Sequence, residues 1–183
     1  MLTPPAPFAL RPLTLADQDA VMPIDARSFP TTWSAKGYHH ELTNNDLAAY
    51  QALTYNDTLI GYAGYWLIAA EQHISTIAID PPWRGRQLGE LLFLNMLHLA
   101  YTHPATLSTL EVRQYNTTAQ ALYHKYRFQL VGQRPRYYHD TGEDAFLMTV
   151  DPLDTHYKSF LNQQWQTLHQ HLTTLQNPPP SPA

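Results

Sequence analysis

The alternation of apolar and polar residues over the first third of the chain predicts a strand followed by helices. Phe8–Pro12 alternates with the period of a short strand. A helix is predicted to start at Thr14 or Asp17 and to run to about Phe29. Because proline removes a backbone donor, Pro23 is expected to kink this helix or to restart it.

A second short helix and a series of strands are predicted next. Ser34 is a suitable N-cap for a helix that ends near Leu42. Asn56-Asp57 is a hairpin signal between two apolar runs. Three strands are therefore predicted in series: Tyr50–Tyr55, Leu59–Ile68 and Glu71–Ile79.

The centre of the chain repeats a strand-and-helix order. It opens with the apolar part of the third strand, Ile74–Ile79, and a turn and loop follow, of which Arg84–Gly89 contains two arginines and two glycines. An apolar helix, Leu88–Tyr101, leads to a second strand, Leu107–Val112, and then to a capped helix, Asn116–Tyr123. This order is typical of a crossover between parallel strands.

The last third of the chain completes a predicted α/β fold. Two more strands, Gln129–Arg136 and Ala145–Val150, give a mixed sheet with an antiparallel front and a crossover back. Apolar residues at spacings of three and four predict an amphipathic helix from about Thr155 to Leu175. We divide the chain into an α/β domain at 1–151, this helix within 152–176, and a Pro-rich tail at 177–183 that is expected to be disordered.

The C-terminal helix has two candidate partners for its apolar stripe. It can pack back on the domain, or it can pair with a second copy to give a weak dimer. Packing within the chain is the commoner outcome for a single short helix.

Composition narrows the class of protein. The chain has 183 residues, of which 44% are hydrophobic and 14% charged, which suits one globular domain with some additional sequence. A net charge of -4 gives no electrostatic case for nonspecific nucleic-acid binding. The absence of cysteine excludes disulfides, thiolate zinc sites and a cysteine nucleophile. With no membrane-spanning run and no signal-peptide pattern, we expect a soluble, cytoplasmic protein.

The loop Arg84–Gly89 is the first candidate site. Free amides at a helix start, together with the helix dipole and nearby arginines, suit an anion such as a pyrophosphate. Gly89 allows close approach of the backbone. The alternative is an ordinary polar turn with solvated arginines, and the loop alone favours that alternative because short Gly/Arg patterns are common.

Two further residues are candidates for proton transfer. Glu111 ends an apolar strand and could act as a general base, directly or through one water; the alternative is an edge-strand carboxylate paired with Arg113. Tyr123 lies on the helix capped by Asn116 or Thr117, and its phenol could donate a proton to a leaving thiolate. The alternative for Tyr123 is a packed core tyrosine.

Metal and nucleophile motifs are missing from the sequence. The adjacent pair His39-His40 and the pair His169 and His171 would point to different sides of a helix. Structural or solvated histidine is the favoured interpretation, and we expect no metal. There is no nucleophile-elbow pattern.

Taken together, these residues resemble the GNAT acetyltransferase superfamily, and within it the RimI family of bacterial ribosomal-protein-alanine N-acetyltransferases. The resemblance covers roughly Phe8 to Val150. Four stretches carry it. The first is Phe29–Ser34, which is similar to the family's FPWS loop with two residues inserted before the Trp. The second is Ile77–Pro81 with Arg84–Gly89, which is similar to the acetyl-CoA motif IAVxPxxR/QxxGxG.

The third stretch is Leu110–Arg113 with Asn116 and Ala121–Tyr123, which is similar to LEVRxxNxxAxxLY. The fourth is Arg134–Tyr138 with Glu143–Ala145, which is similar to RxxYY…EDA.

The resemblance implies a GNAT fold, a mostly antiparallel sheet of about seven strands flanked by helices, to which this chain adds a C-terminal helix. It implies acetyl-CoA as the cosubstrate and direct acetyl transfer to a protein N-terminal amine. Glu111 is the implied base and Tyr123 the implied acid. The implied acetyl-CoA contacts are Ile77, Ala78, Ile79, Arg84, Gly85, Arg86, Gln87, Leu88, Gly89 and Asn116.

The acceptor implied by the resemblance is the N-terminal alanine of a small-subunit ribosomal protein. Trp33 and the pair Tyr137-Tyr138 would flank that N-terminus; the alternative is plain aromatic packing. One position departs from the motif, because Gln87 stands where the family has glycine. If that position requires a positive φ, glutamine is expected to weaken acetyl-CoA binding.

Two other functions compete with this one. The first is a GNAT enzyme acting on a different amine, either a small molecule or a lysine. The second is a degenerate member that binds CoA and serves as an interaction module, which predicts no turnover with any N-terminal peptide.

Overall fold

The computed structural model describes residues 1–175, and seven strands form a single sheet at its centre. The strands are β1 (Phe8–Pro12), β2 (Ala48–Tyr55), β3 (Thr58–Ile68), β4 (Glu71–Ile79), β5 (Leu107–Arg113), β6 (Gln129–Tyr138) and β7 (Glu143–Val150). They lie side by side in the order β1-β2-β3-β4-β5-β7-β6. All neighbours are antiparallel except β4 and β5, which are parallel. The predicted fold class is confirmed.

Five α-helices cover the two faces of this sheet. They are α1 (Gln18–Ser28), α2 (Ala35–Thr43), α3 (Leu88–Ala100), α4 (Thr117–Lys125) and α5 (Thr155–Thr174). Short 3-10 turns precede α1 and follow β4. The helix α3 makes the crossover between the two parallel strands, as the order of apolar segments predicts.

Neighbouring residues of the strands alternate between two cores. Leu53 and Ala63 belong to the core under α3, whereas the adjacent Ala52 and Tyr62 belong to the core under α1 and α2. Helix α3 is apolar nearly all round because it is buried between the sheet and α5. The apolar stripe of α5 packs back within the chain, and its buried residues include Leu161 and Leu172.

Local capping and turns agree with the sequence at most places. The Ser34 hydroxyl accepts from the Gly37 amide at 3.0 Å, and the Asn56-Asp57 turn has φ values of 45° and 64°. At α4 the side-chain oxygen Oδ1 of Asn116 accepts from the Ala119 backbone amide at 3.1 Å, so Asn116 rather than Thr117 is the cap.

Two local features concern Gln120 and Pro23. The Gln120 side-chain amide donates to the Arg113 and Gln114 carbonyls. Of the two outcomes expected at Pro23, a restart of the helix is not seen, since α1 continues through it. No helix within residues 1–175 is long and apolar enough to cross a membrane, and the tail at 177–183 lies outside the described residues.

Candidate active site

A cleft opens where the two parallel strands separate. β4 and β5 pair from Glu71 with Leu107 to Ile74 with Leu110, and no further. Beyond this point β4 stays paired only to β3, and β5 only to β7. The strands therefore diverge into a fork that encloses a cleft of about 630 Å³. Unpaired backbone along the fork side of β4 can bond to an extended ligand.

The cleft gathers side chains from four separated parts of the chain. The contributions come from the loop before α2, from β4, from β5 together with α4, and from the end of β6 with the turn after it. Of the predicted site residues, the lining includes Trp33, Ile77, Glu111, Asn116, Tyr123, Tyr137 and Tyr138.

The loop Arg84–Gly89 lies beyond the cleft, at the N-terminus of α3. Gln87 is the residue that precedes α3, and its side chain forms no cap hydrogen bond, so the first-turn amides of α3 have no side-chain cap. Gln87 has a φ of 59° and Gly85 one of 76°. The position that departs from the family motif therefore does adopt a left-handed conformation, which costs a residue with a Cβ on the order of 1 kcal/mol.

The two arginines of this loop are held by the protein. The Arg84 guanidinium donates to the Ile79 carbonyl at 3.0 Å and to the Ser28 hydroxyl at 2.9 Å. Arg86 lies 5.6 Å from the ring of Trp83. Arg84 is exposed, but its guanidinium also ties α1 to the end of β4.

Glu111 is a nearly buried carboxylate with both oxygens engaged. Its Oε2 lies 2.7 Å from His73 Nε2, and its Oε1 lies 3.0 Å from Arg134 Nη2. Burial raises the pKa of Glu111, but the His73 hydrogen bond and the charges of His73 and Arg134 outweigh it, so the pKa is lowered overall. The side chain is therefore ionised at neutral pH.

The alternative partner proposed for Glu111 is wrong. Arg113 instead bonds to Asp140 at 2.6 Å and to Glu143 at 3.3 Å. Its guanidinium also lies 4.0 Å from the ring of Tyr138. Arg113 thus ties β5 to the β6–β7 turn and leaves Glu111 to the cleft.

Tyr123 is both packed and placed on the cleft. Its ring centre lies 5.1 Å from that of Phe93 and 6.2 Å from that of Phe128, as the alternative of a packed tyrosine predicts. It also lines the cleft with Glu111. Burial raises the pKa of Tyr123, so the phenol stays protonated at neutral pH and can donate a hydrogen bond.

A buried carboxylate anchors the loop that carries Trp33. Asp25 on α1 is fully buried, and its Oδ2 accepts from the Trp33 amide at 3.0 Å. Its Oδ1 accepts from the hydroxyls of Tyr38 and Tyr62. Trp33 itself is 37% exposed, and its ring lies 5.8 Å from that of Tyr38. This network presents the loop to the cleft.

The part of the cleft lined by Tyr137 and Tyr138 is built on an irregular segment of β6. Its register with β7 shifts between Arg134 and Tyr138, and Arg136 has a φ of 53°. Tyr137 and Tyr138 pack edge to face with their ring centres 5.2 Å apart. The bulge turns both rings towards the cleft.

The structure has a fork between two parallel strands and an uncapped helix start beyond it. Comparison of the sequence with known protein families agrees with this architecture. The profile of the acetyltransferase (GNAT) family matches residues 19–128. This chain belongs to the GNAT family.

Individual relatives of this GNAT protein agree with the family assignment. A Bacillus subtilis protein, which bears the provisional name of a ribosomal protein bS18-alanine N-acetyltransferase, is 41% identical over 78% of this chain and 94% of its own. The crystal structure of the ribosomal-protein-S18-alanine N-acetyltransferase from Escherichia coli has a TM-score of 0.73, with 26% identity over 79% of this chain and 94% of its own. Arabidopsis thaliana NAA60 in complex with acetyl-CoA shares the fold with a TM-score of 0.71 and 17% identity, over 79% and 98%.

The GNAT fold brings some predicted residues together and leaves others apart. Ala78 and Ile79 have buried side chains and, like the loop Arg84–Gly89, do not line the cleft. Sequence reasoning missed His73, Arg134 as a partner of Glu111, and Asp25. Arg134 stands in the RxxYY stretch, but no local pattern marks the contacts of these three residues, because each contact joins elements distant in the sequence. Within residues 1–175 no group of three or more metal-binding side chains is present.

Proposed function

We propose that this GNAT protein transfers the acetyl group of acetyl-CoA to the α-amine of a protein N-terminus, with the N-terminal alanine of a small-subunit ribosomal protein as its acceptor. The observation that carries the proposal is the meeting of Glu111 and Tyr123 in one cleft at the β4–β5 fork. The 41% identical relative from Bacillus subtilis carries a name with the same activity. The alanine preference rests on these relatives' names.

The residues of this chain fit an elongated, anionic acyl carrier. The fork side of β4 at Ile77–Ile79 has no strand partner, and apart from the Ile79 carbonyl, which accepts from Arg84, its backbone groups suit an amide-containing arm. The uncapped amides of α3 suit its phosphates. Arg86 adds positive charge near that end. Asn116, which lines the cleft while capping α4, is a further contact. When bound, acetyl-CoA supplies an activated acetyl thioester.

Glu111 is the proposed proton acceptor. An α-ammonium has a pKa of about 8 and must lose a proton before its nitrogen can attack. The ionised Glu111 carboxylate faces the cleft and can take this proton, through one water, without becoming a nucleophile. The absence of cysteine from the chain agrees with direct transfer rather than an acyl-enzyme.

Tyr123 is the proposed proton donor. A leaving thiolate gains a proton as the carbon–sulfur bond breaks, and a protonated phenol on the cleft wall can supply it. Packing against Phe93 and Phe128 limits the directions open to the ring. Tyr123 nevertheless lines the cleft, as the proposed role requires.

The peptide end is proposed to contact the aromatic residues of the cleft. Trp33, Tyr137 and Tyr138 all line it. Trp33 and Tyr137 are 37% and 41% exposed, which leaves apolar surface available to a ligand. Glu111 lines the same cleft, and its negative charge attracts an ammonium group.

The test is acetyl transfer to a short peptide that begins Ala-Arg, read by mass spectrometry, with Glu111→Gln and Tyr123→Phe measured alongside. Each variant is expected to lower kcat by about 10²- to 10⁴-fold, the usual contribution of a positioned acid or base. Matched controls are Glu71→Gln and Tyr115→Phe, two exposed positions away from the cleft, which should retain full activity.

Peptide design separates the competing functions. An Nα-blocked peptide containing lysine tests for a lysine acceptor, and a panel of small amines tests for a small-molecule acceptor. Acetylation of the free α-amine alone, lost in both variants, supports the proposal. Transfer only to lysine or to a small amine would overturn the choice of acceptor. Tight acetyl-CoA binding without turnover on any amine would instead support an interaction module.

A further inference from the structure

His73 is a second ionisable group at the base of the fork, outside the predicted site. It lies on β4 and pairs with Thr109 of β5, at the last part of the two strands that is still joined. Glu111 is two residues beyond Thr109, so its side chain leaves the same face of the sheet as those of Thr109 and His73. This register brings His73 Nε2 within 2.7 Å of Glu111 Oε2.

The geometry assigns the proton on this imidazole. A carboxylate oxygen only accepts hydrogen bonds, so Nε2 must carry the hydrogen that joins His73 to Glu111. The imidazole is therefore a donor to Glu111 in both its neutral and its charged state, and it is not placed to accept a proton at Nε2. What changes on protonation is the charge beside the carboxylate.

The surroundings of the pair contain few other charges. Arg134 on β6 faces the other oxygen of Glu111 at 3.0 Å. The phenols of Tyr137 and Tyr138 are close enough to Glu111 to interact with its charge. On the β3 side, the ring of Trp66 packs 5.7 Å from that of His73. Beyond it, the Trp66 indole donates to Glu41 at 2.8 Å.

We propose that His73 is a positioning residue that orients the Glu111 carboxylate when neutral and weakens it as a proton acceptor when protonated, so that His73 sets the acid limit of the reaction. This inference rests on the proposed role of Glu111. Its geometric basis is that one carboxylate oxygen is held by a permanent cation, Arg134, and the other by an imidazole, which can take up a second proton.

The proton balance of the step is simple. One N–H bond of the α-ammonium breaks, a bridging water passes a proton on, and an O–H bond forms on Glu111. The Nε2–H bond of His73 remains intact throughout. With neutral His73, one full positive charge, that of Arg134, opposes protonation of Glu111; with charged His73 there are two. The direction of the Glu111 pKa, which His73 lowers, agrees with this account.

The test compares the wild type with His73→Gln over a range of pH. Glutamine keeps a side-chain donor but cannot titrate. The ratio of their kcat/KM values cancels the titration of the peptide amine, which both enzymes share. As the pH is lowered and the wild-type imidazole becomes charged, this wild-type to variant ratio is expected to fall about tenfold, whereas it is constant at high pH. His103→Gln, at an exposed histidine after α3, is the matched control and should give a flat ratio.

A second variant tests orientation. His73→Leu removes the donor, so kcat should fall about tenfold or more even at pH 8, while glutamine restores most of it. Acetyl-CoA binding, measured by calorimetry, reports whether each variant is folded. A flat ratio for His73→Gln, or full activity of His73→Leu at every pH, overturns the inference. If Glu111→Gln turns over normally, the proposed function of Glu111 fails instead, and the two failures are distinguishable.

Discussion

Replacement of Asp25 tests how the loop that carries Trp33 is held. In Asp25→Ala, the Trp33 amide loses its acceptor at 3.0 Å, and the hydroxyls of Tyr38 and Tyr62 lose theirs. The two phenols still bond to one another, so about two buried donor positions are left unsatisfied. At about 1–3 kcal/mol for each buried group, the free energy of unfolding should fall by about 2–6 kcal/mol.

The conservative variant should behave in an intermediate way. Asp25→Asn keeps the shape of the side chain but replaces one acceptor oxygen with a donor. The hydrogen bonds accepted by one of the two carboxylate oxygens are then lost. The free energy of unfolding is expected to fall by about 1–3 kcal/mol. Urea unfolding followed by circular dichroism measures both variants. The control is Asp46→Ala, at an exposed position in the turn before β2, which should cost less than about 0.5 kcal/mol.

Kinetics of the same variants separate the peptide from acetyl-CoA. Because the Trp33 loop lines the cleft and the start of α3 does not touch Asp25, the KM for the peptide should rise about tenfold in Asp25→Asn. The Kd for acetyl-CoA should stay within about twofold. Unchanged stability and unchanged peptide KM in Asp25→Ala would refute the reasoning, since a fully buried carboxylate with three donors could not then be removed without effect.

Three further predictions concern the loop before α3, the C-terminal helix and the first strand. Gln87→Gly relieves a residue at φ 59° and should raise the free energy of unfolding by about 0.5–1 kcal/mol in urea, with acetyl-CoA binding at least as tight by calorimetry; weaker binding would contradict this. Leu161→Ala empties a fully buried position on α5 and should cost about 2–5 kcal/mol, whereas the exposed Gln166→Ala should cost almost nothing. The Arg11 hydrogen bond and charge lower the pKa of Asp17 to about 2, so their stabilisation is present above about pH 4 and is lost as pH falls towards 2; Asp17→Asn should therefore destabilise at pH 7 and not at pH 2.

Periodic patterns gave the secondary structure because their causes are local. The strands at β3 and β4, the Ser34 cap and the Asn56-Asp57 turn each depend on residues within a few positions of one another. The apolar run of α3 needed no knowledge of its neighbours to be identified as a buried helix. The resemblance to GNAT motifs then joined these elements into a fold.

Motif spacing also found the residues that line the cleft, but not the way they are held. Glu111, Asn116 and Tyr123 were found because each has a fixed place on one strand or helix. The alternative considered for Glu111 paired it with Arg113, two residues along the same strand. That alternative is wrong because Arg113 bonds to Asp140 and Glu143.

Only the tertiary structure decided the environment of the site. The contact of His73 with Glu111 spans 38 positions and depends on the register of β4 with β5, and the contact of Arg134 with Glu111 depends on the order of β7 and β6 in the sheet. The network at Asp25 likewise joins α1, α2 and β3. Hydrophobic periodicity records which face of an element is buried, but it carries no information about which element lies opposite, and that is what sets the charge and the hydrogen bonds of this cleft.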